Sequence, residues 1–208
     1  MSLAQLLWKE NADLAHASLH HPFVCGLQAG TLSRQNFQSY IAQDAYFLEA
    51  FARAYALALA RCPGQQGLRD FFELLSGVLE ELRLHEGYAA SWGVELVGMS
   101  PAQATLAYID FLLAMAALKS VGETCAAMTP CMRLYAFLGQ SLAVTPLADG
   151  HPYVDWIRTY SSADFEVLAS RLEGLLDRYA DDRLAIRTAY RRAMQLELAF
   201  FEAQLPEI

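Results

Sequence analysis

The chain has 208 residues, 55% hydrophobic and 18% charged, a balance that excludes intrinsic disorder and is long enough to enclose one core, so a single domain over 1–208 is expected. A formal charge of -8 repels polyphosphate backbones, the 15 Lys and Arg form no cluster beyond Arg191 with Arg192, and 4 Cys are too few for a disulfide scaffold, so no nucleic-acid partner is expected. No stretch approaches about 18 uninterrupted apolar residues and Met1–Glu10 holds no basic leader before an apolar run, so no membrane association is expected and the chain reads as cytoplasmic with reduced thiols.

The 34 Ala and 33 Leu against 13 Ile plus Val favour helices over strands, and the fold class read from them is all-α. Turn residues divide the chain into about eight helical stretches, near 2–19, 33–61, 66–92, 101–119, 123–143, 151–160, 164–180 and 183–204. Cys62-Pro63-Gly64 and Trp92-Gly93 supply stops. Ser100-Pro101-Ala102-Gln103 reads as an N-cap, a proline in the first turn and a capping-box glutamine. Ala148-Asp149-Gly150-His151-Pro152 reads as a tight connection. Phe111–Leu118 and Tyr135–Leu142 are apolar around most of the circumference, which puts them at the bundle centre or in a subunit interface of a homo-oligomer.

Chemistry is sought where polar groups fall on apolar faces, because a buried carboxyl or thiol costs free energy unless it is paired or used. Asp44 shares a face with Tyr40, Gln43, Phe47, Leu48 and Phe51; the alternative is a solvated or capping Asp. Cys131 follows Pro130, where a helix restart would expose free N–H groups, lower the thiol pKa and favour a nucleophile; the alternative is inert packing. Tyr135 shares the face of Cys131. Glu197 lies among Tyr190, Met194, Phe200 and Phe201, where desolvation would raise its pKa as an acid or base requires, or else it sits at a surface edge. Glu81 and His85 are spaced to ligate a metal, with His16, His20, His21 and His151 as further candidates, but no facing Glu-x-x-His set exists and a hydrogen-bonded pair is favoured, so no metal site is assigned. Gly139-Gln140-Ser141-Leu142-Ala143 imitates a nucleophile elbow without the strand that motif requires.

His21-Pro22-Phe23-Val24 with Gly30-Thr31-Leu32, Gln43-Asp44, Glu81 to His85, Pro130-Cys131 with Tyr135, His151-Pro152-Tyr153 with Trp156-Ile157 and Tyr160, and Glu197 with Phe200 occur in an order that resembles the TenA/thiaminase II family. The resemblance covers residues from about 20 to 201. It implies a heme-oxygenase-like helical fold without heme or another cofactor, a homotetramer, and a small-molecule aminopyrimidine substrate. Family members hydrolyse 4-amino-5-aminomethyl-2-methylpyrimidine to the hydroxymethyl compound in thiamin salvage, and many cleave thiamin. By motif, Cys131 would be the nucleophile, Asp44 would bind the aminopyrimidine, Glu197 would be the acid/base, and Phe47, Tyr108, Tyr135, Tyr160 and Phe200 would line the pocket. Phe47 stands where many relatives carry Tyr, Arg133 where an aromatic is common and Phe201 where Trp is frequent, which bears on substrate preference. A metal-dependent oxidase and a non-catalytic pyrimidine-binding regulator are the alternatives on the same scaffold. The hydrolase reading requires residues 44, 131 and 197 to meet at one aromatic-lined hollow.

Overall fold

The computed structural model describes residues 1–94 and 100–205, apart from the side chains at 84, 86 and 88. Among these residues there are ten helices and no strand: α1 (Leu3–Glu10), α2 (Ala12–Leu19), α3 (Pro22–Ala29), α4 (Arg34–Arg61), α5 (Gly64–Ser91), α6 (Gln103–Leu118), α7 (Val121–Ala143), α8 (Val154–Ser161), α9 (Ala163–Tyr179) and α10 (Leu184–Glu202). The all-α reading stands, and no described helix is long and apolar enough to cross a membrane. All four cysteines are free thiols.

Three boundaries differ from the sequence reading. The stretch expected as one helix over 2–19 is broken at Asn11, whose side-chain amide donates to the Leu7 carbonyl and so ends α1 in its own last turn. Helix α3 was not anticipated. Its signals are local and short: His21 Nδ1 accepts from the Phe23 N–H, Pro22 occupies the first turn, and Gly30 closes the helix at φ +69°. Ser100 does not cap α6. The cap position is Ala102, and its N–H donates to Gln43 Oε1 of α4 at 2.7 Å, an oxygen that also accepts from Thr105 Oγ1 at 2.7 Å. A side chain from another helix does the work the local capping box was expected to do.

Helix α7 is the hub, packed against α4, α6, α8, α9 and α10. Tyr135 to Leu142 is accordingly mostly buried, whereas α6 keeps part of its apolar surface in solvent, with Leu118 77% exposed. Pro130 does not restart α7, which continues through it; the ring forgoes one backbone hydrogen bond and the neighbouring packing holds the helix together. Gly139 permits a close helix approach. A Cβ there would lie 2.4 Å from the Tyr160 carbonyl carbon and 2.6 Å from the Ser161 nitrogen, so glycine lets the end of α8 rest on α7. This contact, and not a serine nucleophile, explains the Gly139–Ala143 pattern.

Arg133 leaves α7 on the side facing α9, where its guanidinium spans Glu166 at 2.9 Å and Glu173 at 2.6 Å. This departure from the family pattern therefore ties two helices together and points away from the hollow. Phe201 is fully buried and packs on Phe23 and Tyr135.

Replacing glycine by alanine inside a helix ordinarily stabilises by about 1 kcal/mol. Gly139→Ala is expected to do the reverse, lowering stability by about 1–3 kcal/mol through overpacking against Tyr160. Urea unfolding of the two proteins measures this, and a midpoint that is unchanged or raised would refute the close approach.

Candidate active site

Helix α4 turns one face inward, and Tyr40, Gln43, Asp44, Phe47, Leu48 and Phe51 on it are all buried. Glu81 and His85 come from α5, Tyr108 from α6, Cys131 and Tyr135 from α7, Trp156 and Tyr160 from α8, and Glu197 with Phe200 from α10. Two adjoining cavities form where these faces meet. The outer one, of about 360 Å³, is lined by Tyr40, Asp44, Glu81, His85, Asp155, Trp156, Thr159 and Tyr160. The inner one, of about 20 Å³, is lined among others by Asp44, Phe47, Glu81, Cys131, Tyr135, Tyr160 and Phe165. Asp44, Glu81 and Tyr160 belong to both.

Behind the inner cavity stands Glu197. Tyr108 OH donates to Glu197 Oε1 at 2.6 Å, and the Cys131 thiol lies close enough to the same carboxyl for each to act on the other's electrostatics. A hydrogen-bonded chain fixes the aromatic wall: Trp156 Nε1 donates to Tyr40 OH at 3.1 Å, and Tyr40 OH to Tyr135 OH at 3.4 Å. Tyr135 packs edge-on to Tyr160 with centroids 4.8 Å apart, and Trp156 to Tyr160 at 4.7 Å. Phe47 lies against Tyr108 at 4.7 Å and against Phe200 at 6.2 Å. Such a wall presents flat apolar surface with its hydroxyl and indole N–H groups already satisfied, a surface on which a planar heterocycle stacks.

The electrostatics follow from burial. Desolvation raises Asp44, Glu81 and Glu197 each to about 7, and the Asp44 charge adds to the rise at Glu81 and Glu197. Among the described residues no lysine or arginine lines either cavity. The expectation for Cys131 is corrected here. Because α7 is continuous, the thiol has no free helix terminus beneath it, and burial followed by the charges of Glu197, Asp44 and Glu81 pushes its pKa well above the ordinary value. After burial itself, the Glu197 carboxyl is the neighbour that acts on this thiol most strongly.

His85 is the nearest cationic candidate. Its Nε2 lies 2.8 Å from the Ile41 carbonyl, which can only accept, so Nε2 carries hydrogen and Nδ1 faces Asp44 Oδ2 at 3.8 Å. His85 is thus held by α4 and not by Glu81, whose Oε1 accepts from Tyr160 OH, so the hydrogen bond expected between Glu81 and His85 does not form. The other histidines lie elsewhere: His20 bonds the His16 carbonyl, His21 caps α3, and His151 bonds the Gln28 carbonyl. Among the described residues no group of three or more His, Cys, Asp or Glu is placed to hold a metal.

All eight residues singled out for the site lie at or directly behind these cavities, with Asp44, Phe47, Cys131, Tyr135 and Tyr160 as walls and Tyr108, Glu197 and Phe200 in contact with them. Sequence reading missed Tyr40, Trp156, Asp155 and Thr159 as lining residues and weighed Glu81 and His85 as metal ligands or a hydrogen-bonded pair, not as cavity walls. The signal for the last two was present, since a carboxyl and an imidazole four residues apart share a helix face; the partner they would meet on α4 was not visible.

The family model for TENA/THI-4/PQQC matches residues 8–207 of the chain. The aminopyrimidine aminohydrolase of Halalkalibacterium halodurans is 33% identical over 97% of this chain and 95% of its own length. The mitochondrial bifunctional TH2 protein of Arabidopsis thaliana is 37% identical over 90% of this chain, and the chain spans only 34% of that longer relative. Among solved structures, a TenA family transcription regulator from Silicibacter sp. superposes with a TM-score of 0.90 at 29% identity, covering 98% of this chain and 96% of that one. Heme oxygenase-1 from Synechocystis sp., in complex with heme, superposes with a TM-score of 0.62 at 13% identity over 98% of this chain and 92% of its own, a likeness of fold alone. The helices adopt the heme-oxygenase-like arrangement, and the chain belongs to the TENA/THI-4/PQQC family.

Proposed function

We propose that the chain hydrolyses 4-amino-5-aminomethyl-2-methylpyrimidine to its 5-hydroxymethyl counterpart, in thiamin salvage, through a covalent intermediate on Cys131. The observation that carries the reading is the Tyr108–Glu197–Cys131 group set beside Asp44 in one aromatic-walled hollow. The relative named aminopyrimidine aminohydrolase supports the substrate class.

Asp44 accepts from the exocyclic amine and from a protonated ring nitrogen of the aminopyrimidine, a charge-assisted pair strengthened by the dry surroundings. Protonation makes the ring electrophilic. Cys131 gives its proton to Glu197 and its sulfur adds to the ring, whose electrons then expel the amine from the methylene carbon. Water adds to that carbon, ring electrons return toward sulfur, and the carbon–sulfur bond breaks to restore the aromatic ring and the thiolate. Amine departure needs a proton and water addition must release one, tasks for a carboxyl that titrates near neutrality. Tyr135, Tyr160, Phe47 and Phe200 stack around the heterocycle and keep bulk water from the intermediate.

The same reading takes the protein to be a homo-oligomer, with four copies as the family resemblance implies. Apolar surface supports assembly: Phe72 is 62% and Leu79 54% exposed on α5, seven residues apart and so on one face. Light scattering is expected to give about four times the 23.1 kDa chain mass, and a monomer would remove this part of the proposal.

Cys131→Ala and Glu197→Gln are each expected to lower turnover of the aminomethylpyrimidine by at least about 100-fold with unchanged circular dichroism, read as hydroxymethylpyrimidine by mass spectrometry. Near-normal hydrolysis by Cys131→Ala would end the covalent assignment.

Because burial raises the folded-state pKa of Glu197 to about 7, the native protein holds a proton there that the unfolded chain releases near pH 4.5. The contribution of this group to stability is complete below the unfolded value and is lost as pH rises through the folded one. Glu197→Gln removes that loss, so the melting temperature of the variant relative to wild type is expected to rise between about pH 5 and pH 8. A pH-independent difference between the two would contradict the raised pKa.

A further inference from the structure

Gln43 is buried next to Asp44 on α4, yet it lines neither cavity and takes no part in the chemistry described so far. Its amide is committed elsewhere. Oε1 accepts from the Ala102 N–H and from Thr105 Oγ1, each at 2.7 Å, and Nε2 donates to the Ser100 carbonyl at 3.4 Å. These partners are the segment leading into α6 and its first turn, and α6 has no capping side chain of its own. Thr105 is fully buried, and one helical turn beyond it stands Tyr108, whose hydroxyl donates to Glu197 at 2.6 Å. The register of α6 against α4 therefore decides whether that hydroxyl reaches the carboxyl. Tyr108 also packs on Phe47 of α4, but a contact between rings tolerates sliding that a bond of this length does not.

We propose, building on the hydrolase reading, that Gln43 is a positioning residue: by pinning Ala102 and Thr105 to α4 it holds Tyr108 on Glu197, and through Tyr108 it keeps that carboxyl able to take the Cys131 proton.

The consequence for Glu197 has a definite sign. Glu197 faces the Tyr108 hydroxyl, the Cys131 thiol and the charge of Asp44, in a site where burial raises its pKa to about 7. The hydrogen bond from Tyr108 favours the carboxylate and opposes that rise, so losing the bond raises the pKa further. A carboxyl receives the thiol proton only while it is ionised. The acid limb of the rate profile therefore moves to higher pH when Tyr108 slips, while Asp44 keeps its place on α4 and substrate affinity is retained.

Steady-state hydrolysis of the aminomethylpyrimidine is measured across the pH range for wild type, Gln43→Leu, Tyr108→Phe and the double variant. Leucine fills similar space and offers no acceptor. Gln43→Leu is expected to lower kcat by about 10-fold with KM within about twofold, and to move the acid limb up by about 0.5 pH unit or more. In the Tyr108→Phe background the same change is expected to lower kcat by less than about twofold and to leave the limb where Tyr108→Phe alone puts it, because the two residues act in series. An unchanged kcat, an equal fall in both backgrounds, a loss carried by KM, or a lower kcat with an unmoved limb overturns the proposal. Should Gln43→Leu not fold, Thr105→Val removes one donor at the same junction and the same outcomes are expected. Thr105→Ser then returns the hydroxyl, and with it kcat and the position of the limb; a serine variant that behaves like the valine one is equally fatal. Wild-type protein that does not hydrolyse the substrate overturns the hydrolase reading, and this inference with it, whereas any contrary outcome with active wild type overturns this inference alone.

Discussion

Three carboxyl groups, from Asp44, Glu81 and Glu197, are drawn together with a thiol into space that no described lysine or arginine lines. An ionised carboxylate in such surroundings is costly, and without cations the cost is relieved by retaining protons. Each group therefore titrates near 7, well above its ordinary range. The chain handles carboxylates differently only a helix width away. On the far side of α7, Arg133 pairs with Glu166 and Glu173, and the guanidinium holds Glu166 below its usual value. One face of the same helix thus carries a cation that favours the ionised form of Glu166, and the other presents its buried carboxyls with no such cation among the described residues.

That omission constrains the rest of the fold. Polar groups that would compete for the carboxyls are tied to one another: Trp156 to Tyr40, Tyr40 to Tyr135, His85 to the Ile41 carbonyl, Gln43 to the start of α6. The walls that remain are ring faces, which exclude water without adding charge. Helix α7 is the common support, and Gly139 brings α8 close enough for Tyr160 to reach both cavities. The raised thiol pKa of Cys131 belongs to the same economy. A sulfur among carboxyls is protected as a thiol until a neighbour accepts its proton.

The stripe from Tyr40 to Phe51 was legible because helical spacing alone puts its members on one face, and burial of all of them follows once that face turns inward. Glu197 was legible for the same reason. Helix α3 was not, since a segment of eight residues with a proline in its first turn has too little periodicity to stand out. The Ser100 capping box was misread because the competing acceptor, Gln43, is nearly sixty residues away in sequence. Cys131 was assigned an activated thiol on the premise that Pro130 breaks the helix; packing against five neighbouring helices overrides the proline, and the premise fails.

Composition and periodicity by themselves determined the helical class, most helix spans and the polar residues on inward faces, because these depend on side chains within a few turns of each other. The family resemblance supplied the reason to set Asp44, Cys131 and Glu197 side by side. Only the tertiary structure decided what those groups experience: which proton each holds, which carboxyl acts on the thiol, and that Glu81 stands at the junction of two cavities. Desolvation and Coulomb interaction depend on distance through space, and residues brought together from six different helices have distances that no spacing along the chain encodes.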